Sequence, residues 1–218
     1  MPKQYLVIGA GRFGRGIVKE FDRLGHEVVV CDKDKKTLEQ LEEYTEYAVI
    51  GDLREESILE DLNVSQFDAV FVAIGTDSLA SILITNRLTE RKVKRIICKA
   101  NNREVGGILE SIGADLVIYP EEEAGHKAAR MEAMSGIIEY IEITKNIAGV
   151  ETVIPEKLVG KTLREMSFSM KYGITVVLII RDGEPMVSQI GDVVFQSGDL
   201  IFIVGEKSKI ELFKKKVG

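Results

Sequence analysis

The sequence predicts an α/β protein: a Rossmann-like, doubly wound parallel sheet of six strands, followed by a second, smaller α+β domain. Three observations carry this expectation. Apolar runs of strand length alternate with helical patterns as far as Tyr119. The glycine sequence Gly9-Ala10-Gly11-Arg12-Phe13-Gly14 stands between the first apolar run and the first helical pattern. From Ile137 onward helical spacing gives way to β-branched runs broken by turn residues. Strands alternating with helices require parallel βαβ units with helices on both faces, whereas runs of strands with tight turns pair as hairpins.

The strand candidates are 4–9, 27–31, 47–50, 67–73, 95–99 and 115–118, and the helices between them are 13–24, 34–44, 55–62, 77–91 and 102–111. In the first helix Phe13, Ile17, Val18, Phe21 and Leu24 recur on one face, and Gly25 follows as a C-cap. Residues 120–135 read as one more helix. Pro120 suits its first position, and Glu121, Glu122 and Glu123 complement the dipole of its first turn. The domains are therefore expected at 1–136 and 137–218. In the second, Arg181-Asp182-Gly183-Glu184-Pro185 and Gln196-Ser197-Gly198-Asp199 predict hairpins, and a helix over 207–216 closes the chain. So small a domain has a modest core, and pairing with another copy would strengthen it.

A chain of 218 residues, 45% hydrophobic and 29% charged, falls in the ordinary soluble globular class. No apolar run approaches the ~18–20 residues that span a bilayer. Residues 1–4 leave no room for a signal peptide, so a cytoplasmic location is expected. The formal charge of −6 counts against non-specific binding to nucleic acid. Lys214-Lys215-Lys216 reads as the solvated end of the last helix. Cys31 and Cys98 end apolar runs and read as buried thiols. Neither they nor His26 and His126 form a metal-ligand spacing.

The chemistry concentrates at the glycine loop. Gly9 permits the tight strand-to-helix turn, Gly11 lets the backbone approach a pyrophosphate, and Gly14 lets the helix pack closely on the strand. The helix N-terminus presents free N–H donors to phosphate oxygens. Arg12 is a cation in a first helical turn, where the dipole disfavours it by roughly 0.3–1 kcal/mol. An anion beside it resolves that conflict; pairing with Glu20 or Asp22 is the alternative. Asp32 stands about 20 residues beyond the loop, where a carboxylate accepts the ribose hydroxyls and repels a 2′-phosphate. Lys33 softens that repulsion, and Asp32 as a mere helix cap is the alternative. Asp52 fits a capping box with Glu55, in the loop that borders an adenine ring.

Other motifs exclude rather than assign. Gly160-Lys161-Thr162 resembles the end of a P-loop, but Pro155 stands where that motif needs glycine, so a turn opening a short helix is expected. There is no G-x-S-x-G, and no histidine after His126 to serve as acid or base. A nucleotide sensor is expected rather than an enzyme. A small NAD-dependent oxidoreductase is the alternative, and a nucleotide-responsive transcription regulator, lacking a basic recognition helix, is a weaker one.

Several stretches resemble a known family. Gly9-Ala10-Gly11-Arg12-Phe13-Gly14, Gly25-His26-Glu27-Val28, Val72-Ala73-Ile74-Gly75, Ile112-Gly113-Ala114-Asp115 and Tyr119-Pro120-Glu121 resemble the RCK (KTN) domain of potassium-transport regulators. Leu158-Val159-Gly160-Lys161-Thr162-Leu163 and Gly198-Asp199-Leu200-Ile201 resemble its companion RCK-C (TrkA-C) domain. The resemblance spans the chain. It implies a cytosolic homodimer assembling into an octameric ring on a membrane K⁺-translocating subunit of the KtrB or TrkH type, without nucleic acid. It implies ATP or ADP in the cleft, with NAD(H) or AMP as further options, and a cation near the phosphates. By the same resemblance Arg12 faces the terminal phosphate, Glu121 reaches a neighbouring subunit's nucleotide and helps hold the cation, and Lys99 lies on the same rim. The expected nucleotide-contacting residues are thus Gly9, Gly11, Arg12, Phe13 and Gly14 in the loop, Asp32 and Lys33, Asp52 and Leu53, Ile74, Gly75 and Thr76, and Lys99 with Glu121. Some relatives bind cyclic di-AMP between RCK-C domains, where an arginine precedes Lys-Tyr-Gly. Here the segment is Ser169-Met170-Lys171-Tyr172-Gly173, a departure that counts against that ligand.

Overall fold

The computed structural model describes residues 2–45, 47–133 and 136–217. The chain divides into two compact units, Met1–Glu123 and Ala124–Gly218. The division falls inside a helix, ahead of the boundary at 136/137 that the change in sequence pattern marks.

The first unit holds β1 (Gln4–Ile8), α1 (Arg12–Arg23), β2 (Glu27–Asp32), α2 (Lys35–Glu39), β3 (Tyr47–Ile50), α3 (Glu56–Asp61), β4 (Ala69–Val72), α4 (Ser78–Glu90), β5 (Ile96–Lys99), α5 (Arg103–Ser111) and β6 (Leu116–Ile118). The strands form one parallel sheet in the order β3-β2-β1-β4-β5-β6. The strand order reverses between β1 and β4, which creates a crevice at their carboxyl ends.

One face of the sheet packs Val7, Val28 and Val30 against Phe13, Ile17, Val18 and Phe21 of α1. Tyr5 stacks on Phe21 with ring centroids 3.9 Å apart. Leu24, expected on the same face, is instead exposed, because α1 stops at Arg23. Gly25 turns the chain at φ +73°, with its N–H on Asp22 O and that of His26 on Phe21 O, a Schellman ending. Helix α2 is also shorter than its pattern. After Glu39 the chain tightens into turns in which Leu41 N–H reaches Leu38 O and Tyr44 N–H reaches Leu41 O. Such i,i+3 turns bring Leu38 and Leu41 to one buried side. A 3-10 turn at Val64–Gln66 precedes β4 and buries Phe67 outside the strand that was expected to include it. Cys31 and Cys98 are fully buried. Burial, with the charges of Asp32 and Asp52, pushes the Cys31 thiol up to about 12.

Helix α6 (Pro120–Ala133) follows, and residues 134 and 135 of its expected span lie outside the described residues. The second unit then holds β7 (Ile137–Glu142), β8 (Ile147–Val153), α7 (Phe168–Tyr172), β9 (Ile174–Arg181), β10 (Glu184–Met186), β11 (Leu200–Glu206) and α8 (Lys207–Val217). Its antiparallel sheet runs β10-β9-β11-β8-β7 over a core that includes Phe168, Phe195 and Phe213. Asp182 (φ +53°) and Gly183 (φ +86°) make the predicted hairpin between β9 and β10. The turn at Gln196–Asp199 is not a hairpin. It feeds β11 into the gap between β9 and β8, so the strand pairs with two distant segments.

Asp199 is 2% exposed, and its carboxylate takes two 2.8 Å bonds from Arg181 and one of 2.8 Å from Gln196 N–H. Thr162 and Glu165 exchange reciprocal side-chain and backbone bonds of 3.0 and 3.1 Å, so the Gly160-Lys161-Thr162 segment is a self-satisfied turn ahead of α7. Lys214 departs from the solvated reading: it is partly buried, and burial lowers its pKa. Among the described residues, no helix is long and apolar enough to cross a membrane.

Candidate functional site

The candidate site lies along the carboxyl edge of the parallel sheet. Gly9 takes φ +101°, and its N–H bonds Cys31 O at 2.8 Å. A Cβ on Gly14 would stand 1.9 Å from Gly9 O, so glycine there is what lets α1 dock against the loop. Gly11 differs from both. Its φ is −65°, open to any residue, and a Cβ on it would meet nothing within 4 Å. The fold itself has no need of glycine at that position. Gly11 also N-caps α1 with no side-chain bond and no acidic residue in the first turn. The positive end of the helix is therefore uncompensated from within it.

Arg12 is exposed and, among the described residues, has no hydrogen-bond or ion-pair partner. Glu20, one alternative partner, pairs with Arg23 at 2.6 Å instead. Phe13 is partly buried and packs against the core beneath α1.

Asp32 ends β2. One carboxylate oxygen accepts from Ala10 N–H at 2.6 Å and the other from Asp34 N–H at 2.9 Å. It is not the cap of α2; Asp34 is, accepting from Lys36 N–H at 2.9 Å. Asp32 thus braces the glycine loop, and a carboxylate with about four acceptor sites keeps capacity for further donors. Lys33 beside it is exposed.

After β3 the expected Asp52–Glu55 capping box does not form. Glu55 holds the cap position without a side-chain bond. Asp52 instead accepts from Arg54 Nε at 3.0 and 2.9 Å and from Arg54 N–H at 3.0 Å. These bonds hold the Asp52 carboxyl down at about 2. Leu53 is 2% exposed and belongs to the core, so its side chain cannot line a cleft. Arg54 also lies 3.7 Å from Asp77, the cap of α4. The sequence reading missed this Asp52–Arg54–Asp77 bridge; its only local signal is an arginine two residues after Asp52.

The loop Ile74-Gly75-Thr76 follows β4. A Cβ on Gly75 would be 2.9 Å from Lys99 Nζ, so glycine makes room for that lysine to cross the rim. Lys99 donates to Glu121 at 2.6 Å. That bond lowers the Glu121 pKa, and the charge of Arg12 adds to the effect. Lys99, Glu121 and Arg12 therefore share one electrostatic neighbourhood, with Glu121 engaged inside its own chain. Among the described residues, no group of three or more His, Cys, Asp or Glu could hold a metal.

The chain matches two family models, the TrkA-N domain over residues 5–120 and the TrkA-C domain over residues 147–218. It is 36% identical to Ktr system potassium uptake protein C of Bacillus subtilis, covering 100% of this chain and 98% of that one. It is 35% identical to Ktr system potassium uptake protein A of the same organism, covering 98% and 96%. Among solved structures, the GsuK channel bound to NAD superposes with a TM-score of 0.67 at 17% identity, over 100% of this chain and 40% of that one, a likeness of fold. Both halves match a family model, and the match covers 98% and 96% of the two Ktr relatives: the chain belongs to the TrkA-N/TrkA-C family of potassium-transport proteins.

Proposed function

We propose that this chain is a non-catalytic regulatory subunit of a K⁺ uptake system, gating a membrane K⁺-translocating partner by reading adenine nucleotides at its glycine loop. The observation that carries the reading is the pairing of Gly11 with Arg12: a glycine with no steric reason inside the fold, beside an exposed arginine that makes no hydrogen bond or ion pair among the described residues. A phosphate chain at the start of α1 supplies both reasons. Asp32 then takes the ribose, and Lys99 and Arg12 face the phosphates. In this reading residues 1–136 are the sensing domain and residues 137–218 the assembly domain. The subunit works at the cytosolic side of the membrane as a homodimer within an octameric ring, and Glu121 contributes to a cation at the phosphates. The names of the Ktr relatives support the transport role, and the NAD-bound GsuK channel supports nucleotide binding by this fold.

ATP and ADP differ by one phosphate, and a charge-assisted hydrogen bond contributes about 1.5–3 kcal/mol. If Arg12 bonds only the terminal phosphate, one site separates the two nucleotides by roughly 10- to 150-fold. Turning a two-state equilibrium from 1:99 to 99:1 takes about 5.5 kcal/mol of differential binding. One site falls short and about two to four coupled sites suffice, which is a physical reason for a ring. Calorimetric titration of wild type and Arg12→Ala with ATP and ADP tests this. The substitution is expected to bring the affinity ratio toward one. An unchanged ratio places the discrimination elsewhere, and NADH binding far tighter than ATP, with turnover of an alcohol or carbonyl, replaces the reading by an oxidoreductase.

A further inference from the structure

We infer that Arg54 is the base-contacting residue of the cleft, its guanidinium forming a flat platform on which a purine stacks. The inference rests on the nucleotide reading above and adds to it the residue that selects the base. With phosphates at the start of α1 and the ribose at Asp32, the base must extend beyond Asp32, away from the phosphates. The sheet order β3-β2-β1 puts the loop after β3 on that side. That loop is bonded directly to the ribose end, through Gly51 N–H on Asp32 O at 3.0 Å.

Arg54 is fixed there from both sides. Its own N–H is held by Asp52, and its carbonyl accepts from the Arg87 guanidinium on α4. The side chain is held edge-on: Asp52 takes Nε and one terminal nitrogen, and Asp77 lies 3.7 Å from the other. Carboxylates bonded along the edge leave the two faces of the plane uncommitted. Among the described residues, no aromatic ring covers either face, although rings cover the cations of Lys19, Arg103, Arg130 and Lys171. The Arg54 side chain keeps 43% of its surface exposed. A planar cation braced at its edge, with no ring on its face among the described residues, suits a π-system, and the flat guanidinium offers a stacking plane that a lysine ammonium lacks.

The full chain is titrated by calorimetry with ATP, ADP and CTP, as wild type, Arg54→Ala and Arg54→Lys. Arg54→Ala is expected to weaken ATP and ADP equally, by about 3- to 30-fold, and to weaken CTP, with its smaller ring, less. The ATP/ADP ratio stays at its wild-type value. Arg54→Lys keeps the charge and the Asp52 partner, so it folds as wild type does, and it is expected to recover little of the loss. Equal weakening of ATP and CTP would make Arg54 a mere charge, and wild-type ATP affinity in Arg54→Lys would remove the stack; either overturns the assignment. A wild-type chain that binds none of the three nucleotides sinks the underlying reading as well, an outcome distinct from those two.

Discussion

Two ion pairs, one in each unit, sit in different surroundings. In the first, Lys99–Glu121 lies at the rim of the sheet with its carboxylate in water: Lys99 is 12% exposed and Glu121 70%. In the second, Arg181–Asp199 has its carboxylate 1% exposed and bonded by two Arg181 nitrogens and Gln196 N–H. A rim pair contributes about 0–1 kcal/mol and is readily exchanged for a ligand. A buried carboxylate with three charge-assisted or backbone bonds is an internal brace, and removing one side leaves the other stranded. Gly198-Asp199 therefore reads as architecture, and the rim around Lys99 and Gly11 as the candidate site.

The sharpest way to break this contrast is Asp199→Ala. It is expected to destabilise the protein by about 3 kcal/mol, read as a lowered urea midpoint, while nucleotide affinity at the surviving fold stays unchanged. Lost affinity without lost stability would reverse the two roles. Within the first unit, Gly14→Ala forces the added methyl against Gly9 O and is expected to cost about 1–3 kcal/mol. Gly11→Ala is expected to cost at most about 1 kcal/mol, yet to abolish nucleotide binding in the same titration. Equal stability losses for the two glycine variants would refute the claim that Gly11 is kept for a ligand.

The smallest effect is set by pH. Asp52 has its folded pKa held down at about 2 by Arg54. Its contribution to stability is therefore complete above the unfolded value of about 3.9 and is lost as pH falls through about 2. Acid denaturation of Asp52→Asn is expected to show less slope between those limits than wild type. An identical slope would place the acid sensitivity elsewhere.

What was legible in the sequence was what is local. The glycine loop, Asp32 and the period of α1 are each decided within a few residues, so their pattern survives in one dimension. The ending of α1 was half legible. Gly25 announced the stop, but the position of Leu24 past the last turn, and hence its exposure, depends on where the Schellman bonds close. The shortening of α2 came from the demand that Leu38 and Leu41 face one core. Leu53 was expected at the ligand from the resemblance, but its side chain is 2% exposed and packs in the core, which a linear pattern does not reveal. Asp52 was read with Glu55, three residues away, because a capping box is a local rule. Its actual partner, Arg54, together with Asp77, joins loops that follow different strands, and no spacing rule connects those. Likewise β11 inserts between β9 and β8, which a turn signature at Gln196–Asp199 could not convey.

The strand orders have one more consequence. Sheets that end in long bare strands invite other chains to add to them, a route to uncontrolled polymerisation. Here β3, β6 and β10 are four, three and three residues long, and β10 carries Pro185, which has no N–H to offer a newcomer. The longer outer strand, β7, sends Glu139 and Glu142 to the Lys127 and Arg130 side chains of α6. A molecule so guarded along its borders offers a stray strand little to latch onto.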